Sequence, residues 1–139
     1  MELNTVMTAN PACCARETSL KQVAQMMLDN DCGMIPVVDA QGMPVGAITD
    51  RDIATRAVAK GGDLDGCCAG DYMSTPLRTV SQDSSLADCC AAMESAQLRR
   101  MPVVDGQGRV VGVVAQADVA LNANASNTAE VVREVSRPC

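Results

Sequence analysis

Any chemistry in this chain has to be done without an imidazole. Histidine is absent, as are Trp and Phe, which removes the usual general base near neutral pH and the commonest nitrogen ligand for metals. What remains are carboxylates, arginines, hydroxyls and thiols. Two carboxylates stand out by position: GAITDRD, Gly46 to Asp52, and GVVAQAD, Gly112 to Asp118, each run from a glycine through two small apolar residues to an aspartate where a helical pattern begins. An aspartate there can cap the helix or meet the positive end of its dipole. Thr49 adds a hydroxyl in the first stretch, where Ala115 stands in the second. Arg99 and Arg100 supply forked donors that suit phosphate oxygens, or a carboxylate such as Glu94.

The thiols are the other reactive groups. Cys13-Cys14, Cys67-Cys68 and Cys89-Cys90 are adjacent pairs, Cys32 and Cys139 stand alone, and no C-x-x-C spacing occurs. A chain that is 47% apolar can bury a core without bridges, so reduced thiols and a cytoplasmic location are expected, with no metal site. Cys89 and Cys90 fall on the helix phases of Val23 and Ala24 and read as core. No nucleophile–base pair can be assembled, so no catalytic residue and no enzyme activity is expected. A net charge of −6 and a pI near 4.5 oppose nucleic-acid binding. No stretch approaches the roughly 18 apolar residues of a membrane span, and MELNTVMT lacks the form of a signal peptide.

The elements that must position these groups are written twice. At a constant offset of 66, Met7 falls on Met73, Ser19-Leu20 on Ser85-Leu86, Met27 on Met93, PVVD at 36–39 on PVVD at 102–105, Gly46 on Gly112 and Asp52 on Asp118. Leu20, Val23, Ala24, Met27 and Leu28 have the spacing of an amphipathic helix, with Ser19 or Thr18 as N-cap. MIPVVD, a turn at Gly42 and PVGAIT then read as a hairpin, followed by a helix carrying Ile53, Ala54, Ala57 and Val58. The second copy repeats this with a helix from Leu86 to Met93, MPVVD, GQGR, VVGVVA and a helix from about Gln116. A short strand near Ala12–Cys14 or Arg78–Val80 precedes each first helix. The expected fold is therefore α/β (α+β): two βαββα units whose bare sheet faces pack as a pseudo-two-fold pair, with a short C-terminal helix. The expected boundaries are 1–62 for the first repeat, 63–71 for a glycine-rich acidic linker, 72–121 for the second repeat and 122–139 for a polar tail. Asn127 and Glu130 in that tail are spaced as a capping box.

VMTANP with MIPVVDAQGMPVGAITDRDI, and YMSTPLRTV with MPVVDGQGRVVGVVAQADV, resemble the opening motif, hairpin and final helix of the cystathionine-β-synthase (CBS) domain family over about residues 3 to 121. Members of that family form tandem pairs known as Bateman modules. The resemblance implies intertwined units whose clefts hold adenine nucleotides or S-adenosylmethionine, and a homodimer. It also implies that the aspartate of Gly-h-h-(Ser/Thr)-x-x-Asp binds ribose hydroxyls, with the Ser/Thr near the phosphate. Here Gly46 to Asp52 fits at every position, while the second copy fails at Ala115. By the same resemblance, the Asp52 cleft uses Thr49 and Arg51 and is completed by Thr79, Val80, Arg99, Arg100 and Met101. The Asp118 cleft, the weaker one, is completed by Cys13, Cys14, Met34 and Ile35.

The leading expectation is a stand-alone regulatory module that needs no cofactor. It would bind AMP, ADP, ATP or S-adenosylmethionine at Asp52 and modulate a protein partner or its own oligomer, as an energy sensor does. A cysteine-based redox or soft-metal (Zn or Cu) protein is the rival, and a scaffold with vestigial clefts is the third reading.

Overall fold

The computed structural model describes residues 3–75, 77–122 and 135. The backbone divides into two compact units, Pro11–Leu77 (unit A) and Met1–Asn10 with Arg78–Cys139 (unit B). Residues 3–10, which precede the first helix in sequence, thus pack in space with the elements of the second repeat.

In unit A, helix α1 (Leu20–Asn30) starts at Ser19, whose hydroxyl accepts the Gln22 N–H at 3.1 Å. Leu20, Val23 and Met27 are buried as the periodicity requires, while Leu28 is 76% exposed and lies off the buried stripe. The hairpin β2 (Met34–Val38) and β3 (Pro44–Thr49) follows, in register Met34 with Thr49 and Val37 with Gly46. Its turn is built by Asp39, whose Oδ1 accepts the N–H groups of Gln41 and Met43, each at 2.9 Å, and by Gly42 at φ 81°. Only a residue without a Cβ takes that left-handed conformation at no steric cost. Helix α2 (Asp50–Asp52) opens directly into a π-helical stretch, Ile53–Val58, marked by the Ala59 N–H donating to the Ala54 carbonyl at 3.0 Å. Ile53 and Ala57 are buried there, and Val58 is half exposed. The short helix α3 (Ala69–Tyr72) closes the unit. Residues 63–71 are packed into unit A: the Leu20 N–H donates to the Cys67 carbonyl at 2.9 Å and Lys21 to Leu64 at 3.1 Å.

Unit B repeats the plan with β4 (Val80–Ser81), α4 (Leu86–Ala96), β5 (Arg100–Val104), β6 (Val110–Ala115) and α5 (Gln116–Asn122). Ser85 and Asp88 cap α4 reciprocally at 3.0 and 3.3 Å. Strand β1 (Thr8–Ala9) completes a four-stranded sheet of order β1-β6-β5-β4, in which β4 and β5 are parallel and the other pairs antiparallel. Unit A shows the same pairings as single bridges: Ser74 with Ala47, matching Thr8 with Val113, and Cys14 with Val37, matching Val80 with Val103. Each repeat's hairpin is therefore completed by the opening motif of the other repeat. The strand expected near Ala12–Cys14 is reduced to Cys14. The tail helix and its Asn127–Glu130 box lie outside the described residues, of which only buried, helical Val135 belongs to the tail.

Each unit has its own core. Leu20, Val23, Ile35, Val37 and Ile48 form that of unit A. Leu3, Val6, Met93, Met101, Val103, Val114 and Val119 form that of unit B. With a single aromatic residue in the chain, Tyr72, methionine and cysteine fill volume that rings take elsewhere.

The glycine that opens each carboxylate motif is there for contact. A Cβ on Gly46 would stand 2.7 Å from Met73 Sδ and 3.1 Å from the Ser74 carbonyl, and one on Gly112 would collide with Met7 Sδ. Gly112→Ala should cost about 1–3 kcal/mol of stability, the usual penalty of overpacking. Part of it should return in the Gly112→Ala/Met7→Ala double variant, as urea midpoints would show. A strictly additive double variant would mean that Met7 is not what the glycine accommodates.

Candidate functional site

The carboxylate stretches sit where β3 and β6 end and the following helices begin. Thr49 accepts the Asp52 N–H on its hydroxyl at 3.0 Å, and Asp52 Oδ2 accepts the Thr49 N–H at 3.0 Å. In unit B the Ala115 N–H donates to Asp118 Oδ2 at 2.8 Å, and no hydroxyl returns the bond. Both aspartates are thus fixed through one oxygen by the strand end, and Oδ1 is left for another partner. For Asp52 that oxygen lies 3.8 Å from Arg56 Nη1. For Asp118 no donor meets it among the described residues. The Thr49 hydroxyl, singled out for a ligand phosphate, already serves as the helix cap, which explains its presence without a ligand.

The same end of each hairpin gathers other residues singled out in the sequence. Met34 and Ile35, both buried, lie opposite Thr49 and Ile48. In unit B, half-exposed Arg100 lies opposite Ala115 and buried Met101 opposite Val114, while the exposed Arg99 accepts the Gln116 N–H on its carbonyl at 2.8 Å. The corresponding carbonyl in unit A is that of Gly33, which accepts the Asp50 N–H at 3.0 Å. Neither Arg99 nor Arg100 makes an ion pair among the described residues. Thr79 is half-buried at the start of the β4 segment, and Val80 pairs with Val103. Arg51 is exposed, its N–H on Asp50 Oδ1 at 2.8 Å. The residues expected around Asp52 thus fall in both units: Thr49, Arg51 and Asp52 in unit A, and Thr79, Val80, Arg99, Arg100 and Met101 in unit B.

Cys14 is buried in the unit A core, and Cys13 is half-buried with its thiol donating to the Pro11 carbonyl at 3.4 Å. Both line a pocket of about 620 Å³ at the opposite end of the hairpin, with Arg16, Gln22, Met26, Asp39 and Val45. Sequence reasoning missed this pocket, which lies where the chain leaves the sheet after Cys14. In unit B the Gln82 N–H continues the ladder to the Val104 carbonyl at 2.8 Å. In unit A, Thr18 closes a turn on Ala15, and the Arg16 and Thr18 carbonyls instead accept the N–H groups of Gly70 and Ala69 at 2.9 and 2.8 Å. The turn itself is common to both repeats, since the Ser84 N–H donates to the Ser81 carbonyl at 3.0 Å, so no residue there signals the detour.

The seven described cysteines, from Cys13 to Cys90, are free thiols. Burial pushes Cys14 up to about 11 and Cys89 up to about 12, each with a smaller contribution from its neighbouring cysteine. Cys13 and Cys90 are raised by burial as well. Such thiols are poor nucleophiles and poor metal ligands near neutral pH. Among the described residues no group of three or more His, Cys, Asp or Glu could hold a metal ion, and no helix is long and apolar enough to cross a membrane.

Two βαββα repeats, each ending its hairpin on an anchored aspartate, define a class of tandem α/β module. The model of the CBS domain matches residues 3–59 and 69–123, and the chain belongs to the CBS domain family, with two copies. The CBS domain-containing protein YhcV of Bacillus subtilis (strain 168) is 37% identical over 123 residues, covering 88% of this chain and 86% of that one. Among solved structures, Hypoxic Response Protein I with two coordinated zinc ions is similar at a TM-score of 0.80 and 30% identity, over 88% of this chain and 98% of the other. The CBS domain pair of protein MJ0100, in complex with 5′-methylthioadenosine and S-adenosyl-L-methionine, is similar at a TM-score of 0.79 and 25% identity, over 87% and 94%.

Two outcomes follow from this geometry. Thr49→Ala should lose about 1 kcal/mol, and Ala115→Thr should gain about 0.5–1 kcal/mol by completing the second cap, both read by chemical denaturation. An Ala115→Thr chain no more stable than wild type would mean that the reciprocal bond contributes nothing there. The second outcome concerns pH. The Cys89 thiol rises from 9.0 to about 12 on folding, so the folded chain holds a proton that the unfolded chain releases. Its contribution is fully present below pH 9 and is lost as pH climbs toward 12. Stability should therefore fall over that window, and Cys89→Ala should flatten the fall; an unchanged slope would remove Cys89 as its source.

Proposed function

We propose that this protein is a non-catalytic regulatory module that binds adenine nucleosides or nucleotides through its two aspartate half-sites. The observation that carries the reading is the anchored carboxylate. Asp52 and Asp118 each spend one oxygen on the turn and keep another for a pair of vicinal hydroxyls, and charge-assisted bonds of that kind contribute about 1.5–3 kcal/mol each. Membership of the CBS family and the adenosine-derived ligands of the MJ0100 pair support it. Thr49 and Arg51 stand beside the carboxylate of the Asp52 half-site, and the guanidinium groups of Arg99 and Arg100, at the corresponding end of the unit B hairpin, are of the kind that suits the phosphates of AMP, ADP or ATP. The Asp118 half-site, whose carboxylate has no cation beside it among the described residues, suits a less charged ligand such as S-adenosylmethionine or a thioether nucleoside. The occupied module acts in the cytoplasm through a homodimer or a regulated protein partner, with no role for nucleic acid or membrane.

The zinc of Hypoxic Response Protein I keeps a metal reading in view. The lack of histidine and the burial of Cys14, Cys89 and Cys90 in the cores weigh against it.

Thermal denaturation with AMP, ADP, ATP, S-adenosylmethionine and 5′-methylthioadenosine tests the proposal. A ligand that binds only the folded chain at 100 times its Kd adds about 2.7 kcal/mol, so a clear rise in Tm is expected, and Asp52→Ala should abolish the rise caused by the phosphorylated ligands. No shift with any of them at millimolar concentration, together with stoichiometric zinc in the purified protein, would replace this reading with the metal one.

A further inference from the structure

The two aspartates are anchored alike but are not alike electrically. Arg56 extends from the π-helical stretch, donates from Nη1 to the Tyr72 carbonyl at 2.8 Å and stands 3.8 Å from Asp52 Oδ1. The Asp52 side chain is only 15% exposed and that of Arg56 43%, so the pair is partly shielded from solvent. The other charged groups around it are already placed: Asp50 Oδ1 accepts the Arg51 N–H at 2.8 Å and Asp71 Oδ2 accepts the Cys68 N–H at 3.0 Å. In the second repeat the matching position is Asn122, whose side-chain amide donates to the backbone carbonyl of Asp118 at 2.8 Å and brings no charge to the carboxylate. The backbone differs at the same place: Ile53–Val58 is π-helical, while Gln116–Asn122 is a regular α-helix. Single π-turns of this kind are frequent at functional sites.

A bare carboxylate that binds ribose hydroxyls repels the phosphate on the same ribose. A guanidinium held beside it cancels that repulsion while leaving the carboxylate able to accept hydrogen bonds. Resting on the adenine-nucleotide reading of Asp52, we propose that Arg56 is a specificity-determining residue: fixed on the Tyr72 carbonyl, it compensates the Asp52 carboxylate and biases that half-site toward phosphorylated nucleosides, whereas Asp118, which has no such cation among the described residues, favours uncharged or cationic ones. Arg56 acts through Asp52 as a positioning residue and an electrostatic partner, not as a direct ligand contact.

Isothermal titration of the full chain with AMP and with adenosine separates charge from structure. The binding that Asp52→Ala removes defines the site. Arg56→Gln should weaken AMP there by roughly fivefold or more, about 1 kcal/mol, and change adenosine by less than about twofold. Arg56→Lys should keep most of the AMP affinity because the charge is kept. The wild-type preference for AMP over adenosine should narrow as salt rises, since a partly exposed pair is screened. Equal losses for AMP and adenosine in Arg56→Gln would mean a purely structural residue and overturn the proposal alone. Unchanged AMP affinity in Arg56→Gln would overturn it too. A wild-type chain that binds neither compound would overturn the nucleotide reading itself and the role of Arg56 with it.

Discussion

An aspartate carboxylate accepting the N–H of the last strand residue holds the strand-to-helix end of each unit together. At Asp52 and at Asp118 this bond satisfies a donor that the sheet no longer pairs and the helix does not yet use. It also fixes the direction in which the chain leaves the sheet. Everything proposed for the site follows from that anchoring: one oxygen is committed to the backbone, so the other has a defined position and a short list of partners. Thr49 makes the bond reciprocal in the first repeat. Its hydroxyl is first a structural cap and only then available to a ligand.

The anchored turns depend in turn on the opening motifs. Met73 seats on Gly46 and Met7 on Gly112, and the strands beside those methionines complete the sheets by pairing Ser74 with Ala47 and Thr8 with Val113. A hairpin edge that would otherwise present unpaired backbone groups is thereby covered. Because each motif serves the hairpin of the other repeat, neither repeat has a complete sheet from its own contiguous sequence.

On this shared frame the two units carry different chemistry. Unit B places guanidinium groups at the hairpin end, where unit A has Gly33 and Met34. Unit A pairs its aspartate with Arg56, where unit B has Asn122. Cys14, Cys89 and Cys90 lie in the cores, where burial raises their pKa values. A protein with eight cysteines thus uses several of them as small apolar side chains, filling volume that its missing aromatic residues leave open.

The repeat at constant offset, the hairpins, the N-caps Ser19 and Ser85 and the buried stripe of α1 follow from the sequence alone, because they rest on local periodicity and on side chains that bond within a few residues. The aspartates of GAITDRD and GVVAQAD could be recognised for the same reason. What tertiary structure decided involves partners far apart in the chain: the opening motifs pair with the hairpin of the other repeat, and the chain turns from the sheet at Ala15 to meet Ala69 and Gly70, beside a pocket. It also decided the role of Arg56, which in the sequence is one more helix-surface cation. Only the fold brings the Tyr72 carbonyl within 2.8 Å of it, and no spacing rule within a repeat encodes a contact sixteen residues away.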